Sequence, residues 1–130
     1  MRFARDMTPK YFYDSYAIVA YINGNDGYKK YFIKESGVTT LYNVMEVYYA
    51  VLREEDVEKA RKVLHFLKPI VIYPSLDDVE PSMNFRLKHK GKSFSYADCL
   101  GYILAQKLHI KFLTGDKAFN GFQGVEFVRE

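Results

Sequence analysis

The feature that most restricts the fold is an alternation along the chain: short apolar runs give way repeatedly to longer segments whose apolar residues recur at helical spacing. Residues 10–13 (KYFY) form a strand-like run that stops at Asp14, and SYAIVAYI then follows helical spacing until Asn23-Gly24. GYKKYFIKES reads as a second short helix ended by Gly37, after which VTT is long enough only for a strand end or a turn. Leu41, Val44, Met45, Tyr48 and Leu52 mark the apolar face of a third helix, with Thr39 or Thr40 as its cap and Glu46 off the apolar centre. EEDVEKARKVLHFL repeats the pattern through Val57, Ala60, Val63, Leu64 and Leu67. Pro69 ends it before the strand-like IVIY.

Residues 77–92 read as helical although Pro81 interrupts them, and they end in the basic run RLKHKGK. Residues 95–108 are the plainest helix, with Ser95 as N-cap, Asp98 at its third position, and Leu100, Ile103, Leu104 and Leu108 on one face. His109 leads into the strand IKFLT, Gly115-Asp116 follows it, and Asn120-Gly121 and Gly124 separate it from a last strand, VEFV. Strands alternating with helices imply a mostly parallel sheet covered on both faces and joined by right-handed crossovers. Ligands bind such sheets at the carboxyl ends of the strands. Asp14 and Asp116 should therefore emerge on one rim.

At 130 residues the chain has the size of one domain, here taken as 1–130, which buries roughly two-thirds of its unfolded surface. A hydrophobic fraction of 48%, with 12 Tyr and 10 Phe, sets it apart from disordered sequences. The lone Cys99 cannot form an internal disulfide and reads as a small buried apolar residue. The opening MRFARDMTPKYFYD has no apolar stretch of signal-peptide or membrane-span length, so the expectation is a cytoplasmic protein with no membrane partner. A net charge of +3 favours a polyanionic partner only slightly.

A hard cation such as Mg²⁺ takes oxygen ligands, keeps several waters, and is usually held by a few carboxylates and a substrate phosphate. Clustered acids therefore suit phosphodiester hydrolysis by a metal-activated water, with no nucleophilic side chain. The rival chemistries lack their parts: the chain has no G-x-S-x-G, no recognisable Cys/His pair, no GxxxxGK[ST] loop and no zinc-like spacing.

The segments YFYDSYAIVAYI, TTLYNVMEVYYAV, SYADCLGYILAQKL and IKFLTGDKAF, in this order and spacing, resemble the PIN-domain nucleases, especially the VapC-type toxins of prokaryotic toxin–antitoxin pairs. The match runs nearly end to end, and each segment places an acid where that family has one. The resemblance implies a Rossmann-like, three-layer α/β/α sandwich, a Mg²⁺ or Mn²⁺ requirement, RNA as substrate, dimerisation, and inhibition by a cognate antitoxin. It makes Asp14 and Asp98 the principal metal-binding aspartates, Asp116 the acid of the T-x-D motif, and Glu46 the helical glutamate. Thr114 matches the hydroxyl residue that orients a carboxylate or water, and Ser15 and Asn43 are candidates to support the acids. Some relatives carry a further acid shortly after T-x-D, where this chain has Ala118 and Asn120.

Each acid also has a plain reading. Ser95-x-x-Asp98 imitates a capping box, which is the stronger reading of Asp98 taken alone; Asp14 could cap the next helix, Asp116 could serve a turn, and Glu46 could be a solvated residue on its helix flank, although its neighbours Tyr42, Val47 and Tyr49 are apolar or aromatic. The functional case is the joint one. The run 86–92 could contact RNA phosphates or be a solvated face, the histidines 65, 89 and 109 read as surface or helix-end residues, and tyrosines 48, 49 and 102 read as core or dimer interface. Two rivals stand beside the nuclease. One is a PIN-like RNA- or protein-binding module without catalysis. The other is a phospho-accepting signalling domain, disfavoured because the run read as the central strand, IVIYPS, offers no aspartate.

Overall fold

A computed structural model describes residues 8–129. The segment 1–7, from which the absence of a leader was partly read, lies outside the described residues.

Five short strands, β1 (Tyr11–Tyr13), β2 (Gly37–Thr40), β3 (Val71–Ile72), β4 (Lys111–Thr114) and β5 (Val125–Phe127), form one sheet in the order β3-β2-β1-β4-β5. Every pairing is parallel. Among the described residues six α-helices connect them: α1 (Ser15–Ile22), α2 (Lys29–Ile33), α3 (Leu41–Glu54), α4 (Val57–Leu67), α5 (Val79–Lys88) and α6 (Tyr96–Lys107).

The period of two along a strand divides the core. Phe12 pairs with Phe112 and Tyr13 with Leu113. Phe12 and Phe112 join Val38, Ile72 and the inner residues of α5 and α6 on one face. Tyr13 and Leu113 join α1 to α4 on the other. The result is the expected α/β/α sandwich. Gly101 lets α6 approach closely, since a Cβ there would sit 2.6 Å from the Phe12 ring.

Several sequence readings need correction. β1, which runs into Asp14, is the central strand, whereas β3 lies at the edge and keeps only two residues of IVIY. The central strand does therefore end at an aspartate, as a phospho-acceptor requires, contrary to the reading of IVIYPS as that strand. GVTT is a complete inner strand with all four residues buried, so Gly37 begins β2 instead of ending a helix; a strand flanked on both sides and covered on both faces can be this short. Within the segment 27–36 the helix is short, and a 3₁₀ turn, Asp26–Tyr28, precedes α2.

The face of α3 is rotated from the one read in the sequence. Val44, Val47 and Val51 are buried, while Leu41, Met45 and Leu52 are exposed. Apolar residues surround this helix, so periodicity alone could not choose the inner set. Among the tyrosines, Tyr102 is buried and Tyr48 packs against the core, but Tyr49 is exposed. The segment 77–92 divides into the 3₁₀ turn Leu76–Asp78, α5, and the 3₁₀ turn Lys90–Lys92. Pro81 falls in the first turn of α5, where no helical N–H is needed. Among the described residues no helix is long and apolar enough to cross a membrane.

Candidate functional site

The carboxyl ends of β1 and β4 are adjacent, and their parallel pairing brings Asp14 beside Thr114. Asp14 is 2% exposed and Thr114 is fully buried. The Thr114 hydroxyl donates to Asp14 Oδ2 at 2.7 Å and accepts from the Asp116 N–H at 3.0 Å. A threonine hydroxyl has one proton, so this geometry commits it to Asp14. Asp14 occupies the N-cap position of α1 but makes no side-chain capping hydrogen bond, and its Oδ1 is buried without a partner. The capping explanation of Asp14 thus falls away. A buried carboxylate oxygen with nothing to accept from is costly unless a proton or a cation attends it.

The other acids stand nearby on separate elements. Asp98 completes the capping box of α6: its Oδ2 accepts from the Ser95 N–H at 2.9 Å and its N–H donates to Ser95 Oγ at 3.0 Å. Asp116 caps the 3₁₀ turn Lys117–Phe119, accepting from the Ala118 N–H at 3.0 Å. The plain readings of Asp98 and Asp116 are therefore real, and each uses one carboxylate oxygen.

Glu46 ends a hydrogen-bond chain that begins at the N-cap of α3. Thr40 Oγ1 donates to Asn43 Oδ1 at 2.6 Å, Asn43 Nδ2 to Ser15 Oγ at 3.0 Å, and Ser15 Oγ to Glu46 Oε1 at 2.6 Å. Ser15 and Asn43 support an acid as the sequence suggested. Thr40 is both the N-cap of α3 and the start of this chain, and nothing in the sequence spacing signals the second role.

The charges act on one another. Burial pushes the Asp14 carboxyl up to about 8, with the charge of Asp98 next; the Thr114 hydroxyl and the nearby Ser15 amide pull it down, and Glu46 raises it again. Asp98 is raised by loss of solvent and by Asp116, against the hydrogen bonds from Ser95. Glu46 is raised by desolvation of its carboxyl and by Asp98, against the bond from Ser15. All four acids belong to one electrostatic neighbourhood. Among the described residues, however, no three His, Cys, Asp or Glu side chains are close enough to make a ready ligand cage. Hydrogen bonds from Ser95 and Ala118 hold Asp98 and Asp116 on their own elements, while the bond from Ser15 ties Glu46 across to the start of α1, next to Asp14.

The PIN domain family model matches residues 11–124. The chain belongs to the PIN domain family. Solved structures share the fold. A toxin–antitoxin complex from Klebsiella pneumoniae is 21% identical, with 88% of this chain and 94% of that chain covered and a TM-score of 0.71. Mycobacterium tuberculosis VapC20, a sarcin–ricin-loop-cleaving toxin, is 18% identical over 88% and 98% of the two chains, with a TM-score of 0.70. DNA-bound VapBC from Salmonella typhimurium is 16% identical over 93% and 98%, with a TM-score of 0.72. No curated protein matches the chain.

In this PIN domain the donor set fits a hard divalent cation. The acids offer only oxygen, Asp14 Oδ1 is an orphaned buried acceptor, and positive charge would offset the burial and neighbouring negative charge that raise Asp14, Asp98 and Glu46. A phospho-acceptor needs an accessible carboxylate, and Asp14 at the end of the central strand is buried. Burial of that aspartate, and not the lack of one on the central strand, is what disfavours the signalling rival. Gly115, between Thr114 and Asp116, keeps the rim narrow, because a Cβ there would meet the Tyr28 hydroxyl and the Tyr16 ring.

Proposed function

We propose that this PIN domain is a divalent-metal-dependent endoribonuclease and the toxin of a toxin–antitoxin pair. The observation that carries this reading is the buried, half-unpartnered carboxylate of Asp14 at the end of the central strand, beside acids that raise its proton affinity. Family membership and the likeness to toxin structures support it.

Asp14, Asp98, Asp116 and Glu46 are the residues that would hold Mg²⁺ or Mn²⁺. When bound, such a cation supplies Lewis-acid chemistry, favouring ionisation of water and offsetting the charge that builds on a phosphodiester under in-line attack. The chain's own residues prepare the site. Asp14 keeps its proton at neutral pH until positive charge replaces it, so metal affinity rises with pH. Thr114 fixes Asp14 by donating to Oδ2 and thereby leaves Oδ1 as the free donor atom. Ser15, steadied by Asn43 and Thr40, holds one oxygen of Glu46. Hydrolysis would leave a 5′-phosphate and a 3′-hydroxyl. A cognate antitoxin, a homodimer, a cytoplasmic location and a single domain over 1–130 belong to the same proposal.

The test is single replacement of Asp14, Asp98 or Asp116 by Asn, assayed on RNA with Mg²⁺ and with chelator. Each replacement should lower cleavage by at least about a hundredfold, since each removes charge stabilisation from the reacting centre. Cleavage that survives both the replacements and the chelator would remove the mechanism. RNA binding without any cleavage by the unaltered protein would favour the non-catalytic module.

A further inference from the structure

The basic segment behind α5 is not used by the acidic site. From residue 81 to residue 97 the chain has no acid, while Arg86, Lys88, Lys90 and Lys92 are all exposed cations. None of the four has a carboxylate within 4 Å among the described residues, although five other basic side chains do. At the end of this segment Tyr96 opens α6, two residues before Asp98, and remains 67% exposed.

Arg86 and Tyr96 form a defined pair. The Arg86 Nε–H donates to the Phe94 carbonyl at 3.2 Å, and the guanidinium carbon lies 4.6 Å from the Tyr96 ring centroid. The arginine covers one face of the ring and steadies it, so the exposed area includes the other face. With Nε engaged, the terminal nitrogens remain donors, and a planar guanidinium suits phosphate. Tyr96 and Asp98 occupy the same first turn of α6, about 3 Å apart along the axis. Around the axis, however, they are about 200° apart, so a strand whose phosphate reaches the acidic rim passes over the N-terminus of α6 to bring a base onto Tyr96.

We propose that Tyr96, held by Arg86, is a stacking platform for a base of single-stranded RNA, and that the cations from Arg86 to Lys92 guide the strand to the acidic rim. The proposal rests on the nuclease reading for the substrate and assigns its positioning residues. Stacking on an aromatic face tolerates any base, and lysines neutralise phosphates without reading sequence. The platform therefore favours single strands over duplex, in which bases are already stacked.

The test measures binding apart from cleavage. A labelled ten-nucleotide single-stranded RNA and a duplex of the same length are titrated with the full chain in chelator, with melting temperatures as a control. Tyr96→Ala should weaken single-strand binding about tenfold with the duplex unchanged, Tyr96→Phe should bind as the unaltered protein does, and Arg86→Gln should also lower the salt dependence by about one phosphate. Tyr96→Leu keeps the bulk without the π-face and decides the matter if the alanine variant fails to fold. Unchanged affinity in both Tyr96→Ala and Tyr96→Leu overturns the proposal, as does equal loss on duplex. Altered sedimentation with unaltered RNA affinity also overturns it, assigning the surface to a protein interface. Metal-dependent cleavage with a neutral Tyr96 refutes only the platform; weakened binding by Tyr96→Ala in a protein that never cleaves refutes only the nuclease reading.

Discussion

Asp14 is placed where an ionised carboxyl is least stable: buried, facing like charges, and with one oxygen unpartnered. Its proton affinity rises from the ordinary 3.8 to about 8. Between those values the folded protein holds a proton that the unfolded chain has released. The resulting stability is complete below the unfolded value and is lost as pH rises towards 8. The metal-free protein should therefore melt several degrees lower at about pH 8.5 than at about pH 5.5 in thermal unfolding. Asp14→Asn cannot titrate and should remove most of that slope, leaving a remainder from Glu46 and Asp98, which are also raised. An equal slope in the variant would show that other groups carry the dependence. Thr114 and Asp116 stand out in the sequence because T-x-D is a local pattern, and Asp14 because it stops an apolar run where a helical one begins. The burial of Asp14 was not, since it depends on two strands a hundred residues apart meeting side by side.

At the level of elements, the chain's own signals placed α1, α4 and α6 closely, because each has a recognisable cap or stop: Asn23-Gly24 after α1, Pro69 after α4, and the Ser95–Asp98 box before α6. They failed where tertiary contact overrides the pattern, as in the buried strand GVTT and the rotated face of α3. The end of α6 shows a further local compromise. The Ile110 N–H donates to the Ala105 carbonyl and the His109 N–H to that of Gln106, the arrangement of a Schellman cap. The left-handed position, usually a glycine, is His109 at φ 58°. His109 is exposed, so its side chain has little packing to lose. Relief of the Cβ clash outweighs glycine's extra freedom in the unfolded chain. His109→Gly should therefore stabilise the protein by about 0.5–1 kcal/mol, read as a higher denaturant midpoint at unchanged slope. A lower midpoint would mean that the imidazole makes a contact worth more than the strain.

Across the whole molecule, the net charge of +3 conceals a division: acids converge on the carboxyl end of the sheet while an uninterrupted cationic segment runs alongside. The sequence displayed both groups, but only the strand order β3-β2-β1-β4-β5 makes Asp14 central, and the helix layers decide what surrounds it. The acidic side destabilises the metal-free fold because burial, and then the charges of neighbouring acids, raise Asp14, Asp98 and Glu46, so a ligand that supplies positive charge there must favour the folded state. Mn²⁺ or Mg²⁺ should raise the melting temperature progressively, and at a hundred times the dissociation constant the gain is about 2.7 kcal/mol. Because the cation competes with the proton on Asp14, the rise should be larger at pH 8 than at pH 6. Monovalent salt at matched ionic strength separates site binding from general screening, which is weaker for partly buried groups. If NaCl reproduced the whole effect, or if Asp98→Asn responded to Mn²⁺ as the unaltered protein does, the acids would be interacting charges without being a metal site.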